Sequence, residues 1–144
     1  MPTRTARTAW QGTLQEGSGQ VELTSSKAGS FDVSFPKRAA DDAGGTTSPE
    51  ELIAAAHAAC FSMALSNEIA KAGGTPRSLD VSADVTLGQR EDGLAITGIR
   101  LTVRGQADGL DAAGFEQAAQ AAKVGCPVSK ALTGTEITLD ASLA

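Results

Sequence analysis

From Ser48 to about Ala72 the chain reads as one long helix whose first four turns have almost no polar side, and few folds can accept such a helix. Ser48, Pro49 and Glu51 spell its start. The serine hydroxyl can accept from the amide three residues on, proline suits the first helical position, and the glutamate can reach back to the cap. The helix is expected to run to about Ala72 and to stop at Gly73-Gly74. Leu52, Ala56, Ala59, Cys60, Phe61 and Met63 leave little of its N-terminal half polar. A helix apolar nearly all round is buried on most sides, and its many alanines imply close approach of another backbone. A chain of 144 residues would leave part of such a helix uncovered, which predicts a homodimer whose partner covers it.

The segments around this helix alternate like strands. Residues 5–12, 18–25 and 29–36 carry polar/apolar alternation with Thr and Val, separated by Gly and Ser. Residues 37–47 read as a polar loop without periodicity. Beyond the helix, 78–87 and 94–104 alternate, joined by a turn at Glu91-Asp92-Gly93, with a phase slip at Gly98 that suggests a bulge. Asp111 can cap a helix from Ala112 to about Val124 with Phe115, Ala118, Ala119 and Ala122 on one face. Gly125 ends it, Pro127 opens a short helix through Leu132, and 135–143 form a last strand. The order βββ-α-ββ-α-α-β is an α+β pattern with antiparallel sheet, expected as one domain over residues 1–144.

Charge narrows the function. The net charge is −5 and Lys and Arg form no run: Arg4 and Arg7 are isolated and Lys37-Arg38 is only a pair. A phosphate backbone would be repelled, and 3% aromatic residues cannot build a base-stacking platform, so nucleic acid is excluded as a partner. The N-terminus lacks the apolar core of a secretory signal. The longest apolar stretch, Leu52 to Leu65, is broken by His57 and Ser62 and reads as too short for a bilayer, so a soluble cytoplasmic protein without membrane contact is expected.

In a reducing cytosol the two cysteines are buried thiols, metal ligands or transient redox groups. Cys60 lies well inside the long helix, away from the amides of a helix start, so reactivity there requires a cation from elsewhere. Otherwise it is a small core residue. Cys126 sits between a helix end and a helix start, where amides can stabilise negative charge on sulfur. A thiolate that attacks a peroxide and a mobile thiol that traps the sulfenic acid would divide the work between them. Metal binding is the rival: His57 and Cys60, at i and i+3, with Cys126 and Glu50, make a candidate zinc set. Taken singly, Glu50 is a solvated first-turn acid and Arg38 a loop charge, while Glu51 serves the cap. Leu52, Phe61 and Met63 read as core or pocket wall. No nucleophile elbow, P-loop or dinucleotide fingerprint occurs.

The segments S-P-E-E-L-I-A-A-A-H-A-A-C-F-S-M-A-L (48–65) and K-V-G-C-P-V-S-K-A-L (123–132) closely resemble the OsmC branch of the OsmC/Ohr family, named for osmotically inducible protein C and organic hydroperoxide resistance protein. The likeness extends to T-A-W-Q-G at 8–12, A-D-V-T-L at 83–87 and I-T-L-D at 137–140. The resemblance implies an OsmC-like fold, with antiparallel sheets around a long buried central helix, as an intertwined homodimer with active sites near the interface. It implies a thiol peroxidase of oxidative and osmotic stress defence that prefers organic hydroperoxides to hydrogen peroxide. Cys60 matches the peroxidatic and Cys126 the resolving cysteine, Glu50 the active-site acid, and Arg38 the arginine that pairs with the acid and faces the thiolate, with Lys37 the other base at that place. The resemblance implies neither metal nor organic cofactor, and it implies a dithiol of lipoyl type as the reductant. A unit charge ~4 Å from sulfur at an effective dielectric near ~20 is worth about 4 kcal/mol, roughly three pKa units before desolvation opposes it. Glu50 would orient the guanidinium by a bidentate contact that lysine cannot copy.

Overall fold

The first strands form a small meander because short alternating segments separated by Gly and Ser can turn back on themselves. The computed structural model describes residues 1–144 as two units, Met1–Leu52 and Ile53–Ala144. In the first, β1 (Arg7–Gln11), β2 (Ser18–Glu22) and β3 (Ser30–Val33) pair antiparallel in the order β1-β2-β3. Trp10 stands opposite Gly19, and Val21 opposite Phe31.

Where strand was expected to 36 and loop from 37, the chain makes a one-turn helix, α1 (Phe35–Arg38). Ser34 is its cap: its hydroxyl accepts from the Lys37 amide at 3.3 Å, and Pro36 lies at the helix start. The apolar alternation through Phe35 concealed a capping signal. The loop then returns, with the Thr47 amide donating to the Asp32 carbonyl at 3.2 Å.

Helix α2 (Pro49–Lys71) starts and stops where the sequence places it. The Ser48 hydroxyl accepts from the Glu51 amide at 3.1 Å. The other half of the capping box is not made, because the Glu51 carboxylate accepts from the Thr47 hydroxyl instead. At the far end the Gly74 amide donates to the Ile69 carbonyl and the Gly73 amide to that of Ala70, the two bonds of a Schellman motif. Gly73 has φ +88°, which explains why glycine stands there. By length and composition α2 meets the test for a membrane span, because its apolar run continues past Leu65. The core helix of a folded domain passes the same test.

The second unit is built on a long hairpin, β4 (Thr75–Arg90) and β5 (Gly93–Asp108), closed by Glu91-Asp92. The pairing shifts where Thr86 and Leu87 face Gly98 and Ile96, leaving Thr97 as the extra residue, beside the expected phase slip. After α3 (Ala112–Gly125) and α4 (Pro127–Ala131), β6 (Ile137–Leu143) lies parallel to β5, giving the order β4-β5-β6. The expectation of wholly antiparallel sheets is thus corrected. A parallel neighbour needs a crossover of a dozen residues or more, and α3 with α4 supplies it.

The core of this unit joins Phe61, Leu65 and Ile69 of α2 to Leu101 and Val103 of β5 and to Phe115, Ala118, Ala119 and Ala122 of α3. The Asp111 carboxylate caps α3 by accepting from the Gly114 amide at 2.8 Å. Gly105 is obligatory, since a Cβ there would stand 2.7 Å from the Phe115 ring. Truncating Phe61 or Phe115, both fully buried, to Ala would cost about 3–5 kcal/mol. In the single chain α2 is buried along one side only, as expected of an apolar helix in a chain this small. Only the stripe His57, Phe61, Leu65, Ile69 is buried in this unit, whereas Ala55, Ala56 and Ala59 are exposed and Met63 is 73% exposed. A sheet on one side can cover only one stripe of an all-apolar helix.

Candidate active site

Two clusters carry the predicted chemistry. In the first unit, α1 and the first turn of α2 bring Arg38 to Glu50. Arg38 Nε donates to both carboxylate oxygens, at 2.8 and 3.1 Å. The contact runs through Nε alone rather than through a two-nitrogen fork, so the terminal nitrogens take no part in it. Glu50 is buried, not a solvated acid, and the burial of a carboxylate is made tolerable by this partner. Lys37 turns the other way, its Nζ lying against the loop at Gly44. Arg38 and Leu52 also line an apolar groove of about 480 Å³ with Trp10, Val21, Val33 and Phe35.

In the second unit, α2 and α4 bring the sulfurs of Cys60 and Cys126 to 2.9 Å. Both are free thiols, Cys126 buried and Cys60 partly accessible. The separation is less than ~1 Å beyond a disulfide bond length. The two thiols titrate as a pair, and their surroundings push them apart. Burial pushes the Cys60 thiol up, the hydrogen bond with Cys126 and its charge add to this, and the Val128 amide only partly opposes it. Burial also pushes Cys126 up, but hydrogen bonds from Cys60, from the amide and hydroxyl of Ser129 and from the Val128 amide outweigh it, so its net direction is down. Within one chain the negative charge therefore favours Cys126, because α4 starts there and brings it more donors than the single Val128 amide that reaches Cys60.

His57 is fully buried one turn before Cys60, its Nε2 2.7 Å from Ser129 Oγ, and Nδ1 has no partner. Burial holds its pKa below the usual histidine value. The zinc reading loses its ligands, for no three His, Cys, Asp or Glu side chains gather in a cluster that could hold a metal. Ser129 escaped the reading of single residues. Its signal was its place three residues after Cys126, the spacing of a helix cap and its third position. Phe61 is core, Leu52 is groove wall and Met63 is neither.

The OsmC-like protein family matches residues 41–141, which include Glu50, Cys60 and Cys126 and begin just after Arg38. The chain belongs to the OsmC family. It is 46% identical over 134 residues to peroxiredoxin OsmC of Escherichia coli K12, covering 93% of this chain and 92% of that protein. Peroxiredoxin OsmC of Shigella flexneri matches to the same extent. Among solved structures, an organic hydroperoxide resistance protein of Elizabethkingia anophelis superposes with a TM-score of 0.76 at 28% identity, covering 100% of this chain and 98% of that one. An OsmC of Legionella pneumophila does so with 0.74 at 26%, covering 99% and 98%. The OsmC-like α+β fold expected from the motifs is the one observed.

Proposed function

We propose that the chain is a thiol-dependent peroxidase that reduces organic hydroperoxides, acting as one OsmC-like domain over residues 1–144. Its relatives are a peroxiredoxin and organic hydroperoxide resistance proteins. The observation that carries the reading is the pair of free sulfurs 2.9 Å apart on two different helices. In the first step the Cys60 thiolate attacks the outer peroxide oxygen. The O–O bond breaks, the alcohol leaves with a proton, and Cys60 becomes a sulfenic acid. Cys126 then attacks that sulfur, water departs, and a disulfide remains. A dithiol of lipoyl type, by two exchanges, restores both thiols.

The cation that this scheme requires at Cys60 is assigned to Arg38, held by Glu50. Ten residues of helix separate Glu50 from Cys60, about 15 Å of axial rise. The pair serving a given Cys60 is therefore taken to come from a second copy, in a homodimer that also covers the exposed apolar face of α2 around Met63. Charge on Cys60 is then favoured by the guanidinium, which offsets the bias toward Cys126 within one chain. The apolar groove beside Arg38 suits an alkyl hydroperoxide better than hydrogen peroxide. The reaction is placed in the cytoplasm, in oxidative and osmotic stress defence, without metal or organic cofactor.

Peroxide consumption with dihydrolipoamide tests this reading. Cumene hydroperoxide should be consumed at least about tenfold faster than hydrogen peroxide, and one equivalent should remove both titratable thiols. Two thiols remaining after that equivalent would overturn the cycle.

A further inference from the structure

His57 and Ser129 have no task in the cycle above, yet they are buried beside its sulfurs. His57 Nδ1 has no partner, while Nε2 faces Ser129 Oγ at 2.7 Å. The unpaired atom identifies the tautomer. A buried N–H without an acceptor is rarer and costlier than a bare lone pair, so the proton is on Nε2 and is donated to Ser129 Oγ. That leaves the serine's own hydroxyl proton to be given elsewhere.

Helix positions show where it can go. His57 lies three residues before Cys60 on α2, and Ser129 three residues after Cys126 at the start of α4. The two helices are thus joined twice at matching spacing, His57 to Ser129 and Cys60 to Cys126. The Ser129 hydroxyl is among the groups that stabilise the Cys126 thiolate.

We propose that His57 and Ser129 are a positioning pair for the resolving step: His57 Nε2–H turns the Ser129 hydroxyl, which donates to the Cys126 sulfur and aims it at Cys60. This rests on the peroxidase reading. In the step concerned, a lone pair of the Cys126 thiolate forms the S–S bond while the S–O bond of the Cys60 sulfenic acid breaks. The hydroxide that leaves takes up the proton Cys126 had lost and departs as water. The two electrons removed from the thiols have already passed to the peroxide, so no further oxidant enters.

Single-turnover mixing with one equivalent of cumene hydroperoxide separates the steps: dimedone trapping reads sulfenic acid, and thiol loss reads disulfide closure. Ser129→Ala and His57→Leu should each slow closure by about tenfold, the loss expected for one hydrogen bond to a charged sulfur. Formation of the sulfenic acid should stay within about twofold. The double variant should close no more slowly than Ser129→Ala, because the histidine acts through the serine. His57→Gln, whose amide can donate from near the place of Nε2, should recover most of the rate. Closure at the unmodified rate in Ser129→Ala overturns the proposal, as do multiplying effects in the double variant or a Gln variant as slow as Leu. Should Ser129→Ala not fold, the Leu and Gln variants at 57 decide alone. An unmodified protein whose Cys60 is never oxidised removes the peroxidase reading. One that cycles while these variants close normally removes only the positioning pair.

Discussion

Cys60 and Cys126 touch, yet they are built on opposite plans. Cys60 lies inside a long helix whose backbone donors are already spent, so burial dominates and its proton is held tightly. Cys126 stands where one helix has ended and the next begins, so the hydrogen bond from Cys60, joined by two amides and the Ser129 hydroxyl, outweighs a deeper burial. A thiol in the first setting acquires charge only if a cation is brought to it, whereas the second setting carries its own donors. On the proposed reading, a peroxidatic Cys60 therefore depends on a cation such as Arg38, whereas Cys126 draws on its helix start and on the Cys60 thiol beside it.

Four changes would break or sharpen this contrast. The largest effect belongs to Cys60→Ser, which should lower peroxide turnover by at least about a thousandfold. Full activity in that variant would shift the attacking role to Cys126. Next, Arg38→Met should slow oxidation of Cys60 by about a hundredfold, with Arg38→Lys recovering only part. An unchanged oxidation rate would mean that the guanidinium never meets the sulfur.

Alkylation rates followed against pH give the third test. Cys126→Ala removes a hydrogen bond and a charge that raise Cys60, so the Cys60 thiol should titrate lower. Cys60→Ala removes a hydrogen bond that lowers Cys126, so Cys126 should titrate higher. Shifts of the same sign would erase the asymmetry.

The smallest effect concerns His57, whose pKa is depressed by burial from 6.5. The unfolded chain then binds the extra proton first, so stability is complete above that value and falls as pH drops through the folded pKa. The slope is at most about 1.4 kcal/mol per pH unit. His57→Gln should flatten the unfolding midpoint measured between about pH 5 and 8, and an unaltered slope would place the titration elsewhere.

Local signals were legible because their physics is local. Ser48, Pro49 and Gly73 mark the ends of α2, Asp111 and Gly125 those of α3, and period-two alternation marks β4 and β5. The turn α1 was hidden because Phe35 continues an apparent strand, and only the Ser34 cap reveals it. The parallel partner of β5 was present in the element order but not in any strand's own composition. In the candidate site the four predicted side chains fall into two close pairs, Arg38 with Glu50 and Cys60 with Cys126. Ser129 went unread because a serine's value there depends on a histidine 72 positions away.

The amino-acid sequence alone determined where α2, α3 and α4 begin and end, which residues alternate, and which two motifs carry sulfur, since caps, periods and spacings act within a few residues. Only the tertiary structure decided that Glu50 is buried against Arg38, that the two sulfurs meet, and that His57 reaches Ser129. Such facts depend on how distant segments pack, because a burial cost or a hydrogen bond exists only once its partners are brought within a few ångströms.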